Sequence, residues 1–516
     1  MQRFLRRVTA PGGIALAALL IAAGNLLSRG VGLLREAVIA GQFGRGAEVA
    51  AFTAASAIPT IVYDLLVNGA LSAALIPVFA AAAARDEAEF WALVRAVAAV
   101  LLPTVALVVV LLIWQAEPAT RLLAGGFAPD LRDLTITMVR WMLPAVLALA
   151  LSGIITAALQ ARRQFLLPAF TTSAYNAGII VGALLLTPWL GPLALAVGVV
   201  LGALLQVLLQ LPGLAPARTF SFTIDLRQPE LRRIVWLYAP VALGISFAVA
   251  GIVLDRNLAS RLDAAALPTM RYATTLIQLP LGLVAAAVSF AVLPTLARHA
   301  AAGEDGAFGG VLASGINVVA LLILPATALL AGAGEALVAL IFERRAFSAQ
   351  DTAGVAHALL LYLPGLPAAA FDQMLLFAFY ARGRTLTPNL VQGAAVGCYA
   401  VAALGLPQLG VAGLDALIIA NSVQWVGHLV ILFVLARGVV RLRGQQVGET
   451  LAKCGVAALL AGLVAYGIAQ SSVGLPAIVR VALAFGGAGA LYLGLCAALR
   501  VPALLLLRDA VLRKVG

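Results

Sequence analysis

The chain has 516 residues, 63% of them hydrophobic and only 11% charged, with a mean hydropathy of +1.05. Soluble domains carry roughly 25% charged residues, so a soluble enzyme is excluded, and apolar runs of about 20 residues throughout indicate an all-α polytopic membrane protein. The net charge of +12 does not indicate nucleic acid, because the basic residues follow a topological pattern.

Reading the apolar runs between breaks gives about fourteen spans. They start near Gly13, Glu48, Phe90, Leu134, Leu167, Pro192, Leu231, Pro268, Gly309, Thr352, Pro388, Val411, Gly448 and Pro476. The first run has no small-residue cleavage site and continues straight into a polar stretch, so it is expected to be a span and not a secretory signal. Assigning alternate loops to opposite sides puts most of the 34 Lys and Arg on the side of the N-terminus, among them Arg85, Arg162, Arg163, Arg298, Arg382 and Arg384. That bias predicts cytoplasmic termini at both ends of a multi-pass protein of the bacterial inner membrane.

In the first span, "GNLLSRGVGLLREAVIAGQFG" carries Arg29, Arg35 and Glu36. A charge at the bilayer centre costs about 2.5 kcal/mol or more, so charged groups there face a wet cavity or one another. Arg29 and Glu36 share a helical face about 10.5 Å apart along the axis, and Arg35 lies about 120° round from Arg29. A cationic wall for an anionic substrate is one reading. The other puts Arg35 and Glu36 at the interface and pairs Arg29 with an acid on a neighbouring helix.

The second span, "AAFTAASAIPTIVYDLLVNGALSAALIPVFA", carries Pro59, then Asp64 and Asn68. The proline removes a backbone bond and kinks the helix. Asp64 is expected to pair with a first-span arginine, either as part of a gate with Glu36 or as an ion pair that only orients two helices. The seventh span holds Asp255 beside Arg256. Their side chains point about 100° apart, so each is expected to meet another helix or a cavity. The eighth offers Arg271, Thr274, Thr275 and Gln278, and the tenth a lone Asp372. Asp255 and Asp372 are candidates for a coupling cation, Na+ or H+, with a plain hydrogen bond as the alternative.

Cys398, Cys454 and Cys496 are scattered in apolar helices, and an odd number argues against a disulfide framework. His299, His357 and His428 are isolated and are expected to be structural or interfacial. There is no phosphate loop, no nucleophile constellation and no large soluble domain. The expectation is therefore a transporter and not an enzyme, with no metal site and no resident cofactor.

The run "SRGVGLLREAVIAGQFG" resembles the opening signature of the MurJ (MviN) lipid II flippase family, part of the multidrug/oligosaccharidyl-lipid/polysaccharide exporter superfamily. "IPTIVYDLLVNGALSAALIPVF" is similar to the family's second helix. "LPAFTTSAYNAG", "GALLQVLLQLPGL", "YATTLIQLPLGL", "VLPTLARHA", "RAFSAQDT" and "FYARGRTLTPN" extend the likeness through Asn389. The resemblance implies two pseudo-symmetric six-helix lobes around a central cavity, residues 1–212 and 213–445. A C-terminal helix pair, 446–516, would offer a groove for a lipid tail.

It also implies alternating access for undecaprenyl-diphosphate-linked peptidoglycan precursor. The membrane potential is expected to favour outward movement of the diphosphate, and a cell-wall synthesis or division complex is a candidate partner. Arg29 and Arg35 match the first-helix arginines implied to contact the headgroup. The chain departs from the pattern at Tyr63 and Asp64, where many relatives are basic, and at Asn68, where an acid is usual. It departs again at Ala273-Thr274-Thr275-Leu276, where relatives often read Ala-Asp-Arg-Leu. Arg256 or Arg271 is expected to restore the missing charge, and Asn68 to contact the headgroup. These departures keep two alternatives open, a flippase for another polyprenyl-linked oligosaccharide and a cation-coupled multidrug exporter.

Overall fold

The computed structural model describes residues 13–66, 70–214, 229–411, 413–438 and 446–504. Among these residues there are helices and connecting turns and no strand, and helices begin close to each expected span start. Nine helical stretches among the described residues are long and apolar enough to cross a membrane. The number is ten if one pair bent by 44°, Ala349–Tyr362 and Gly365–Ala381, forms a single span. The expected second span is two helices, Ala47–Leu66 and Ala70–Arg85, and Asn68 lies outside the described residues.

By contacts the chain divides into two compact units, Met1–Pro268 and Thr269–Gly516. The first contains α1 (Gly13–Phe43), α2 (Ala47–Leu66), α3 (Ala70–Arg85), α4 (Glu87–Trp114), α5 (Ala116–Ala124) and α6 (Pro129–Met142). It continues with α7 (Ala145–Ala161), α8 (Leu166–Ala169), α9 (Thr171–Val181), α10 (Thr187–Leu190), α11 (Leu193–Gln210) and α12 (Pro229–Ser260). Within this unit α12 packs on α2, α3 and α5.

Local chemistry sets the helix starts. Asp86 caps α4, accepting from the backbone N–H of Ala88 and Glu89 at 3.0 Å each. Phe79, Phe90 and Trp91 then stack edge-on in the core of α3, α4 and α7. Arg162, at the end of α7, lies 5.4 Å over the Trp91 ring and reaches Glu87 at 3.0 Å. The outer face of α4 presents Leu107, Val110 and Trp114, as a lipid-facing surface does.

Inside the membrane there is no hydrophobic gain in bringing helices together, so contact rests on close packing and on interhelical hydrogen bonds. Both are present between α7, α9 and α11. Ser152 donates to Gln206 Oε1 at 3.0 Å, Thr156 to Gln210 Oε1 at 2.8 Å, and Gln210 Nε2 to Ser152 Oγ at 2.7 Å. On the other side of α11 the backbones touch: a Cβ on Gly178 would lie 2.2 Å from the Gly202 nitrogen.

The second unit, from Thr269, contains α13 (Ala266–Ala302), α14 (Asp305–Phe342), α15 (Ala349–Tyr362), α16 (Gly365–Ala381), α17 (Leu386–Gly405) and α18 (Gly413–Ala436). Its last helices are α19 (Val447–Ser471) and α20 (Ala477–Ala498). This C-terminal pair packs on α14 through an alanine stripe, Ala457, Ala461 and Ala465 on α19 and Ala484 and Ala488 on α20. At Gly332 a Cβ would come within 2.3 Å of the Gly462 carbonyl oxygen. Tyr492 donates its hydroxyl proton to the Leu321 carbonyl at 2.9 Å, so the one buried phenol in the seam is satisfied by α14.

Gly178→Val is expected to destabilise the protein by about 1–3 kcal/mol, because two backbones would have to separate. Gly467→Ala, with open space around its Cβ position, is expected to leave stability unchanged. Unfolding midpoints of the two variants in detergent test the difference.

Candidate functional site

The polar residues of α1 are positioned by its seam with α9. Ser28 and Ser173 hydroxyls meet at 3.3 Å. Asn176 uses both ends of its amide: Nδ2 donates to the Ser28 carbonyl at 3.4 Å, and Oδ1 accepts from Arg35 Nη1 at 2.8 Å. The rest of the Arg35 guanidinium turns to its own neighbour, with Nε donating to Glu36 Oε1 at 2.9 Å and Nη2 to the same oxygen. The Glu36 side chain is 1% exposed and that of Arg35 is 23% exposed.

Sequence periodicity puts Glu36 on the face of Arg29, yet the acid takes its bonds from the adjacent Arg35. Successive Cα–Cβ directions diverge by about 100°, but the arginine stem is long enough to fold back and present Nε and Nη2 together. The fork geometry of guanidinium makes such a bond worth more than a point-charge contact. The Arg35–Glu36 pair carries no net charge, which leaves α1 with a formal charge of +1 from Arg29. Arg29 is partly exposed, next to an exposed stripe of Leu26, Gly30 and Leu34.

On α2, Tyr63 and Asp64 are partly buried. On α12, Asp255 and Arg256 are partly buried, and the residue after them fixes the helix end. Asn257 Nδ2 donates to the Leu122 carbonyl at 2.9 Å and its Oδ1 accepts from Arg261 Nε at 3.1 Å. Ser260 Oγ accepts from the Gly126 N–H at 3.0 Å. A Cβ on Gly126 would lie 2.5 Å from Arg261 Cα, so the loop after α5 closes against α12 only with glycine there. Asn257 thereby satisfies a carbonyl at the end of α5, one of the groups that a helix terminus leaves open.

In the second unit Arg271 is partly buried. The two threonines that follow bond back to their own helix: Thr274 Oγ1 donates to the Met270 carbonyl at 2.7 Å and Thr275 Oγ1 to the Arg271 carbonyl at 2.9 Å. Asp372 on α16 meets His428 on α18, Oδ1 to Nδ1 at 2.7 Å, with side chains 3% and 6% exposed. The lone acid of the tenth span thus has an imidazole partner. Among the described residues no group of three or more His, Cys, Asp or Glu gathers in one place. His299 pairs with Glu304 at 2.6 Å and His357 with Asp415 at 3.0 Å. Cys454 and Cys496 are buried in the alanine seam of the C-terminal pair.

Ser28, Ser173, Asn176 and Asn257 were not singled out from the sequence. Ser173 and Asn176 are three apart on one face of an apolar helix, and that spacing was the available signal.

A sequence profile described as lipid II flippase MurJ matches residues 39–480. The lipid II flippase MurJ of Burkholderia cenocepacia is 31% identical over 404 residues, covering 76% of this chain and 78% of that protein. A solved structure of lipid II flippase MurJ in an inward closed conformation is similar with a TM-score of 0.79 at 19% identity, over 96% of this chain and 100% of that one. An inward-facing multidrug resistance transporter of the MATE family gives a TM-score of 0.66 at 14% identity, over 84% of this chain and 98% of that one.

Arg35→Ala takes the guanidinium from a buried carboxylate and is expected to cost about 3 kcal/mol of stability. Asn176→Ala leaves the Arg35–Glu36 pair in place and is expected to cost about 1 kcal/mol. Thermal unfolding in detergent of both variants checks the order.

Proposed function

The chain belongs to the lipid II flippase MurJ family, and from that premise we propose that it carries undecaprenyl-diphosphate-linked peptidoglycan precursor from the inner to the outer leaflet of the cytoplasmic membrane. The observation that carries this reading is a family match running from α1 into α20, residues 39–480. The other two readings are not favoured. The fold likeness to a multidrug transporter, a TM-score of 0.66, is lower than the 0.79 to a lipid II flippase, and the relatives named above carry lipid II in their names.

The proposed mechanism uses the charges of α1. The pyrophosphate of the precursor is bound from the inner leaflet in a wet cavity, where Arg29 supplies positive charge. A planar guanidinium suits phosphate oxygens. Arg35, held by Glu36 and Asn176, keeps that stretch of α1 in register with α9, and Arg256 adds a further cation from α12. Arg271 and Asn68 are the remaining candidates for the headgroup, and Asp64 for a gate. A conformational change then exposes the headgroup on the outer side while the polyprenyl chain stays in lipid.

No bond is made or broken, so the activity is transport. The membrane potential contributes about 2.3 kcal/mol per charge per 100 mV. With a negative interior it favours outward movement of the diphosphate. A cation taken up at Asp255 or Asp372 resets the empty carrier. Both termini lie in the cytoplasm, and proteins of cell-wall synthesis or division are the proposed partners.

In a bacterium depleted of its own lipid II flippase, expression of this chain is expected to restore growth together with lipid II on the outer leaflet. Arg29→Ala is expected to lose both and Arg29→Lys to retain part. Failure of a correctly inserted wild-type chain to restore either overturns the lipid II reading. For cation coupling, Asp255→Asn and Asp372→Asn are each expected to slow transport and to flatten its dependence on Na+ or pH. Transport rates unchanged in both end that part of the proposal.

A further inference from the structure

Helix α14 leaves helical geometry at Ala333, with φ −127° and ψ 19°, within "LLAGAGEALV". Irregular backbone at membrane depth is tolerated where it is buried in protein or lines a cavity. Here it lines a cavity of about 240 Å³ within the second unit, closed by one face of α15, the end of α19 and the start of α20. Its polar lining is Glu335, His357, Tyr466, Gln470 and Arg480.

Helix ends set the depth of this cavity. Tyr466 is five residues from the end of α19 at Ser471, and Arg480 is three residues into α20, which starts at Ala477. At 1.5 Å per residue both lie within about 8 Å of a helix end, the level at which lipid headgroups meet the hydrocarbon and at which tyrosine is favoured.

The charges are arranged for a ligand bearing both signs. Arg480 Nε is buried and has no hydrogen-bond partner in the protein, and one Nη donates to the Ala469 carbonyl at 3.3 Å. Glu335 is exposed at the cavity. His357, also in the lining, is engaged by Asp415. A purely anionic ligand would meet Arg480 and be repelled by Glu335, whereas a zwitterion satisfies both. On the helices that carry Tyr466 and Arg480, Leu459, Leu463, Ile478 and Leu483 are exposed, an apolar surface suited to acyl chains.

We propose that this cavity is a binding site for a zwitterionic phospholipid, with the headgroup phosphate on Arg480, the primary ammonium on Glu335 and the acyl chains along α19 and α20. The test of this site does not use transport, so its failure leaves the lipid II reading standing.

Purified full-length protein, stripped of lipid in detergent, is titrated with phosphatidylethanolamine and phosphatidylglycerol of identical acyl chains and, separately, with water-soluble phosphoethanolamine. Bound ligand is counted by native mass spectrometry. The wild-type chain is expected to bind phosphatidylethanolamine about tenfold more tightly than phosphatidylglycerol. Glu335→Gln is expected to abolish that preference while leaving phosphatidylglycerol binding at or above its wild-type level.

Arg480→Ala is expected to weaken both lipids about tenfold. Arg480→Lys, which keeps the charge, is expected to recover most of the loss, and this separates loss of charge from loss of fold. If Arg480→Ala does not fold, the exposed Glu335 variant carries the test. Equal wild-type affinity for the two lipids, or a preference unchanged in Glu335→Gln, overturns the proposal. Phosphoethanolamine binding as tightly as the full lipid, with the same dependence on both residues, assigns the cavity to a soluble zwitterion and overturns the lipid assignment.

Discussion

Lipid offers a helix no hydrogen bonds, so a polar atom carried into the membrane has to be met by another part of the chain. The seam of α1 and α9 shows the consequence most directly. Glu36 is a carboxylate at 1% exposure, and it is held there by Nε and Nη2 of Arg35, whose third arm is held by Asn176. Asn176 in turn reaches the Ser28 carbonyl. The contacts of Asn176 with Arg35 and Ser28, together with Ser28–Ser173, cross between the helices and fix the rotation of α1 against α9. Arg29 is presented by the same helix, so its placement depends on that rotation.

The same constraint operates with different chemistry elsewhere in the first unit. Between α7 and α11 it is met by a closed network of Ser152, Thr156, Gln206 and Gln210. Between α9 and α11 it is met by leaving side chains out, so that Gly178 and Gly202 bring two backbones into contact. At the end of α12, Asn257 and Ser260 satisfy groups on the loop around Gly126. Those bonds fix the end of the helix that carries Asp255 and Arg256.

The second unit is organised by α14, a helix of 38 residues against which the C-terminal pair packs. The alanine stripe and the Gly332–Gly462 approach permit that packing, and Tyr492 closes it with a bond to Leu321. The glycines that permit close approach also weaken the helix, since a glycine in a helix interior costs about 0.5–1 kcal/mol relative to alanine. The departure at Ala333 falls within that segment. The tight seam and the cavity beside it are therefore products of one run of sequence.

The sequence by itself determined the class of the protein, where its helices begin and which residues are polar where lipid is expected. These follow from composition and from the length of apolar runs, which depend on neighbours along the chain. It also carried enough shared blocks for the family to be legible. It did not determine partners. Helical periodicity assigns a residue to a face but is silent about which helix that face meets.

The pairing of Arg35 with Asn176, 141 residues away, and of Asp372 with His428, 56 residues away, was therefore decided by packing. So was the choice of Glu36 for Arg35, because the reach of a long side chain overrode the divergence of adjacent Cβ directions. The docking of α12 on the first unit and of the C-terminal pair on α14 were decided in the same way. Each rests on a glycine or a short polar side chain whose value appears only when another backbone comes within van der Waals distance, and that proximity is a property of the folded chain alone.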